Sequence, residues 1–266
     1  MLDRRVILSF VAAGLFCTMA STHAQAQTVN FDAGANAVSG TVKKCLLNVL
    51  PILCTTTTIA PVDQSTTNTS GANDMPVPNV SQTIYGVEIY NFSNVDDSTN
   101  ASNTVSSDYA RSTAKTDGGR LLQGLVKWTL TNWWSDFVSS IAGGGGNSTG
   151  TVNQLTINGE RVPAGTYSAG SIFDVSGTIT DRECLLGTEK FTGKLTALTS
   201  MRQANTSSSS LDLTGWRLTG QASCITAGLL TQFTTEYDLK VAGLHLGANN
   251  PSTFQKGGFS SQLVIQ

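Results

Sequence analysis

The chain has 266 residues and a formal net charge of −2, and charged side chains make up only 13% of it, with Ser, Thr, Asn and Gly in their place. That length suits one large all-β domain or two small ones. So weak and balanced a charge leaves no basic footprint for nucleic acid and no polybasic anchor for acidic lipid, and beyond Ala20 no apolar run reaches membrane-spanning length.

The chain opens with Arg4-Arg5, an apolar stretch from Val6 to Ala20, and the small-x-small triplet Ala24-Gln25-Ala26. This order is that of a secretory signal peptide cut near Ala26, so the expected location is secreted, periplasmic or cell surface. Cys17 leaves with the peptide. Cys45, Cys54, Cys184 and Cys224 remain, and four cysteines in an exported chain point to two disulfides, with three connectivities open. Cys45–Cys54 and Cys184–Cys224 are the favoured pairs, because each then lies within one compositional region. No Cys-x-x-Cys or Cys/His cluster competes for them, so neither metal nor cofactor is expected.

Further along, Val38–Leu47 (VSGTVKKCLL) echoes Val175–Leu186 (VSGTITDRECLL), a sign of a duplicated strand-and-corner unit or of chance in a Ser/Thr/Gly-rich chain. The apolar run Leu46–Leu53 is broken by Pro51. Thr55–Ser81 is Thr-rich, carries Pro61, Pro76 and Pro78, and reads as an extended surface loop or linker. Ile84–Phe92 reads as a strand. In Asn94–Ser107, the run Asp96-Asp97-Ser98-Thr99-Asn100 has the spacing of the first half of an EF-hand loop. It lacks the Gly and the distal Glu that such a loop needs, so a solvated turn is expected.

Residues 118–146 are ambiguous. Leu122, Val126, Leu130, Trp133, Phe137 and Ile141 recur at helical spacing, whereas Leu122, Gly124, Val126, Trp128 and Leu130 alternate as in a strand. The reading adopted is strand for Arg120–Thr131, then a short helix or turn over Trp133–Ile141, ended by Gly143–Gly146. Leu155–Cys184 is the best organised stretch. Asn158-Gly159 between Leu155/Ile157 and Val162 predicts a type I′ hairpin, Pro163-Ala164-Gly165 a second reversal, and Phe173, Val175, Gly177 and Ile179 one face of a strand.

Strands are also expected over Glu189–Thr199 and Ser210–Ser223. In the latter, Leu211, Leu213, Gly215, Arg217 and Thr219 should share one face, opposite Asp212, Thr214, Trp216 and Leu218. Leu229–Leu246 is one long strand or a hairpin turning near Ala242-Gly243, and Phe259, Ser261, Leu263 and Ile265 share a face of the last strand. The expected fold is all-β, an antiparallel β-sandwich with a barrel as the alternative and at most one short helix. Its expected organisation is a signal peptide (1–26), an N-terminal β/loop region (27–117) and a disulfide-stapled core (118–266), the last two separate or forming one domain.

Catalysis has little to work with. After the signal peptide one histidine remains, His245 between Leu244 and Leu246, and there is no Gly-x-Ser-x-Gly elbow and no second imidazole for zinc. Glu160, Asp181, Glu183 and Glu189 could supply a glycosidase pair, but they sit near strand ends and turns, where surface acids belong. Among the tryptophans, Trp133, Trp134 and Trp216 are candidate ligand contacts, since exposed indoles on a β face stack on sugar rings. Trp133 and Trp134 cannot both point inward from one strand.

In general build the chain resembles bacterial surface, pilus-like or adhesin subunits. The expected function is therefore that of an exported non-enzymatic protein with a structural or adhesive role. A carbohydrate-binding module is the alternative and a secreted hydrolase the third reading. The expected partners are an extracellular glycan or protein, or a second copy paired through the uncharged strand Phe259–Gln266.

Overall fold

A computed structural model describes residues 29–47, 53–62, 65–69, 71–104, 107–140, 143–225, 231–250, 253 and 259–266. Cys17, the signal-peptide segment and its cleavage site lie outside the described residues. The fold is an antiparallel sandwich of two sheets. Numbering strands in chain order, sheet I runs β14 (Ile172–Thr180), β15 (Thr188–Ala204), β16 (Ser209–Ile225), β17 (Thr231–Ala248), β1 (Phe31–Leu46) and β2 (Leu53–Val62), with β3 (Ser65–Thr69) continuing beside β1.

Sheet II runs β12 (Glu160–Arg161), β11 (Thr156–Ile157), β8 (Val126–Trp128), β7 (Gly118–Leu121), β5 (Val87–Thr104), β6 (Ser107–Thr116), β9 (Leu130–Ser140), β10 (Gly143–Asn153), β18 (Phe259–Ile265) and β13 (Gly165–Ser168). In that sheet β4 (Gly71–Ile84) lies along β5. β1, from the N-terminal region, sits between β17 and β2, deep in sheet I.

The hairpin at Asn158-Gly159 forms as expected, with both residues in the left-handed region (φ 56° and 85°) between β11 and β12. Phe173, Val175, Gly177 and Ile179 do share the inner face of β14. Four expectations are corrected. Trp133–Ile141 is not helical: residues 130–140 form β9, paired with β6 on one side and β10 on the other, and residues 143–146 begin β10 rather than end a helix. Thr131, Trp133 and Ser135 alternate inward, and the β-branched Thr131 with the aromatic Trp133 and Trp134 favours the strand. The strand expected over Arg120–Thr131 is interrupted by a 3₁₀ turn at Leu122–Gly124, where Leu122 and Gln123 take φ of 46° and 55°.

The third correction concerns the Thr-rich stretch, which forms β2, β3 and much of β4; the branched threonines suit an extended edge, and Pro76 sits on an outer strand where a missing N–H is tolerated. The fourth concerns Asp96–Asn100, which lie within β5, with Val95, Asp97, Thr99 and Ala101 facing inward.

Sheet I carries a transverse crease. Pairing skips Leu198 opposite Gly215, Gly215 opposite Ala242, and Ala242 opposite Ala37, so the four residues form one row across β15, β16, β17 and β1. Leu198 and Ala242 have φ of 47° and 55°. Inward alternation changes phase there: on β16, Leu211, Leu213 and Gly215 face in, and then Trp216 and Leu218 do. The face expected for Arg217 and Thr219 is therefore corrected at the crease. β17 is one strand throughout, with Ala242 marking the row and not a turn.

The core divides one inward-facing row beyond the crease, between Ala35 and Ala33, Leu213 and Leu211, and Leu244 and Leu246. One part is apolar and aromatic, including Ile89, Phe92, Leu121, Leu122, Phe191, Leu195, Trp133 and Trp216. The other is a smaller cluster of Phe31, Ala33, Ala101, Ala110, Leu211, Leu246 and Ala248. Buried hydroxyls accompany it: Ser65 and Thr67 each meet Thr99 (3.0 and 2.6 Å), Ser112 donates to the His245 carbonyl (2.7 Å), and Ser135 meets Ser148 (2.7 Å).

Both disulfides pair as favoured, Cys45–Cys54 across β1 and β2, and Cys184–Cys224 from the β14–β15 connection to β16. The last strand does not present an open edge. β18 runs parallel to β10 over its whole length and antiparallel to β13 over Gln262–Ile265, with Leu263 and Ile265 buried. The strand is thus part of its own sheet, paired along one edge throughout and along the other over Gln262–Ile265.

Candidate functional site

The residue with most chemical scope, His245, lies on β17 with Leu244 and Leu246 turned into the core, so its ring stands on the outer face of sheet I. Its neighbours across the ladder are Gly34 on β1 and Asp212 on β16. His245 Nδ1 lies 2.6 Å from Asp212 Oδ1, and Nε2 lies 3.0 Å from Asp32 Oδ2. Glycines make the room: a Cβ at Gly34 would press on the His245 Cβ at 3.3 Å, and one at Gly247 would overlap Asp32 Oδ1 at 2.1 Å. A shallow cleft of about 470 Å³, lined by Asn30, Asp32, Ser208–Ser210, His245 and Asn249 among others, opens over the row.

The hydrogen bond to Asp212, followed by that to Asp32, pushes the imidazole pKa up to about 9 against the opposing effect of burial. At neutral pH the ring is an imidazolium with both N–H groups committed. In that state it has no lone pair with which to act as a general base or a metal ligand. The raised pKa also makes a stability prediction. Its contribution is complete below the unfolded value near 6.5 and is lost as pH rises through about 9. Thermal melts of the native protein should fall over that window, and His245→Gln should flatten the fall; an unchanged slope in the variant would disprove the linkage.

A second cluster is buried at the disulfide end. Lys44 Nζ contacts Glu183 Oε2 at 2.6 Å and Asp181 Oδ2 at 3.4 Å, and lies 3.6 Å from the centroid of the Phe233 ring. Asp181 and Glu189, expected at the surface, are 0% and 1% exposed, because the segment from Asp181 to Thr188 is drawn over them by its disulfide. Glu160 and Glu183 are exposed.

Burial first, and then the neighbouring Asp181 carboxyl, raise the Glu189 pKa to about 8. Burial also pulls Asp181 upward, but Glu189, the Glu183 N–H and Lys44 together hold it below its ordinary value. Two acids driven apart in this way resemble an acid–base pair. Here, however, both side chains are buried and the Lys44 ammonium already lies against Asp181. A raised carboxyl favours the folded state below the unfolded value near 4.5 and loses that advantage as pH climbs through 8. Glu189→Gln, which mimics the protonated acid, should remove this loss in urea titrations at pH 5 and pH 9, read from the midpoint. Equal losses in variant and native protein would refute it.

Of the tryptophan contacts, Trp133 and Trp216 are both 0% exposed and meet edge to face in the core, with centroids 5.2 Å apart, so they are corrected to core residues. Trp128 is also buried, its Nε1 donating to Thr116 Oγ1 at 2.8 Å. The Trp134 side chain lies outside the described residues. Among the described residues no group of three or more His, Cys, Asp and Glu side chains is arranged to hold a metal ion, and no helix is long and apolar enough to cross a membrane.

No protein-family model matches this chain, and no curated protein matches it. Function therefore rests on the geometry. Sequence reasoning missed Asp32 and Asp212, because they lie 213 and 33 residues from His245 and carry no local motif. A signal was present only in the alternation, which turns all three outward on adjacent strands.

Proposed function

We propose that this chain is an exported, non-enzymatic protein of the cell surface or extracellular space, with a structural or adhesive role. The observation that carries the proposal is that, among the described residues, the two ionisable clusters described above are already engaged within the protein. His245 is held between two carboxylates, and the Asp181–Glu189 pair is enclosed with Lys44. Two disulfides support the exported setting. The Ser/Thr/Asn-rich outer faces support a contact role over a catalytic one. The carbohydrate-binding reading loses two of its three tryptophans to the core and is not retained.

The test uses intact cells of the source organism. Antibody labelling and protease shaving should detect the protein outside the cytoplasm, and a deletion strain should lose adhesion or envelope integrity without losing a hydrolytic activity. An esterase, glycosidase or peptidase activity of the purified protein that disappears in His245→Gln or Glu189→Gln would overturn the proposal.

A further inference from the structure

β14 is an edge strand of sheet I, hydrogen-bonded to β15 along one side. Its outward backbone groups belong to the even-numbered residues, and three of those residues are met by side chains from sheet II. Gln123 binds Thr180 twice, its Oε1 accepting from the Thr180 N–H and its Nε2 donating to the Thr180 carbonyl, both at 2.7 Å. Asn158 bridges two others, its Oδ1 accepting from the Ser176 N–H at 2.8 Å and its Nδ2 donating to the Asp174 carbonyl at 3.3 Å. Each primary amide thus presents one donor and one acceptor to the strand, as a neighbouring peptide unit would. Leu125 completes the seam: a Cβ at Gly177 would meet its Cδ2 at 2.4 Å, so only glycine lets it sit there.

Gln123 and Asn158 both take left-handed φ, 55° and 56°, in the tight turns that bring their amides to the strand. Water alone could satisfy these exposed groups, so the amides do something that water does not: they occupy the edge. An unoccupied strand edge is a template for another strand.

The strand is also self-complementary. A second β14 laid antiparallel about Ser176 sets Ser176 opposite Ser176, Asp174 opposite Thr178 and Ile172 opposite Thr180. The outward groups of each strand then face those of the other, and the single charge, Asp174, faces a hydroxyl rather than its own copy. Ile172, 57% exposed, would be covered.

We propose that the outer edge of β14 is a self-pairing surface whose partner is the β14 of a second copy of this chain, and that the side-chain amides of Gln123 and Asn158 hold it shut. This is independent of the surface role argued above, and its failure leaves that role untouched. The test is light scattering coupled to size exclusion, with the full chain, from micromolar to near-millimolar concentration. Native protein should be monomeric. Gln123→Ala combined with Asn158→Gly, which keeps the left-handed turn, should double the molar mass as concentration rises. Adding Ser176→Pro, which removes the N–H at the centre of the pairing, should restore the monomer.

The pair Gln123→Met and Asn158→Gly, in which Met is close to Gln in size but carries neither amide donor nor acceptor, repeats the experiment should the first variant misfold. A folded variant with both disulfides intact that stays monomeric overturns the proposal, and so does a dimer that survives Ser176→Pro. A native protein that is already dimeric overturns the plug.

Discussion

Trp133→Ala is expected to cost the fold about 3–5 kcal/mol, more than any other single truncation, and to lower the urea midpoint without altering the slope. The indole is 0% exposed and projects from β9 of sheet II into the crease of sheet I. Two glycines shape its slot. A Cβ at Gly150, its cross-strand neighbour, would lie 2.0 Å from Trp133 Cζ3, and one at Gly215, on the opposite sheet, would lie 2.7 Å from Cδ2. Removing the ring opens a cavity walled in part by the Gly150 and Gly215 backbone, which cannot collapse as flexible side chains can, and it leaves Trp216 with Phe173 as its remaining edge-to-face neighbour. The Trp133 Nε1 has no hydrogen-bond partner among the described residues, so the residue is held for its shape. Trp133→Phe should accordingly recover most of the loss. A Trp133→Ala cost under about 1 kcal/mol would show that the slot is not rigid.

Removal of the Cys184–Cys224 disulfide ranks next. It closes a separation of 40 residues and joins the acid-bearing loop to β16, and the chain-entropy relation gives about 4 kcal/mol for such a loop. Cys45–Cys54, with a separation of 9, should be worth about 2–3 kcal/mol, since it staples two strands already in register. Replacing each pair by alanine and comparing chemical denaturation should reproduce that order. Reductant should open the small loop first, because Cys54 is exposed whereas Cys184 and Cys224 are 3% and 0% exposed. Equal losses, or the reverse order, would mean that local packing and not loop length sets the contribution.

Much of the fold was legible where short-range chemistry decides conformation. Asn158-Gly159 dictated its turn, the alternation of Phe173 to Ile179 dictated a strand, and cysteine placement dictated both disulfides. It was illegible where partners are remote. The helix period of residues 122–141 is real but coincidental, because β6 and β10 flank Trp133 and bind the backbone as a strand. The faces of β16 were misassigned beyond Gly215 because the phase change there is shared by four strands and leaves no mark in any one of them. The threonines of β2 read as linker because nothing in their own sequence announces that β1 lies beside them. The candidate site followed the same rule. His245 was placed on a strand correctly, but the two acids that fix its charge are neighbours only in the folded sheet.

The divided core implies an uneven lifetime for the native backbone. The smaller cluster holds Phe31, Leu211 and Leu246, but its other members are alanines and hydroxyl pairs flank it, so at about 0.8 kcal/mol per methylene it gains less from burial than the larger cluster of leucines and aromatics. Amide hydrogen exchange should therefore report two regimes: β1 near Ala33 and β6 near Ala110 exchanging through partial openings, and β15 and β16 near Leu195 and Leu218 only through global unfolding. The imidazolium of His245 stands over the weaker half, and its own carbonyl receives Ser112 from beneath. Alkaline solution acts on both ends, at the disulfide end as pH passes about 8 and at this end as it passes about 9, so the loss of protection here should come in the second step.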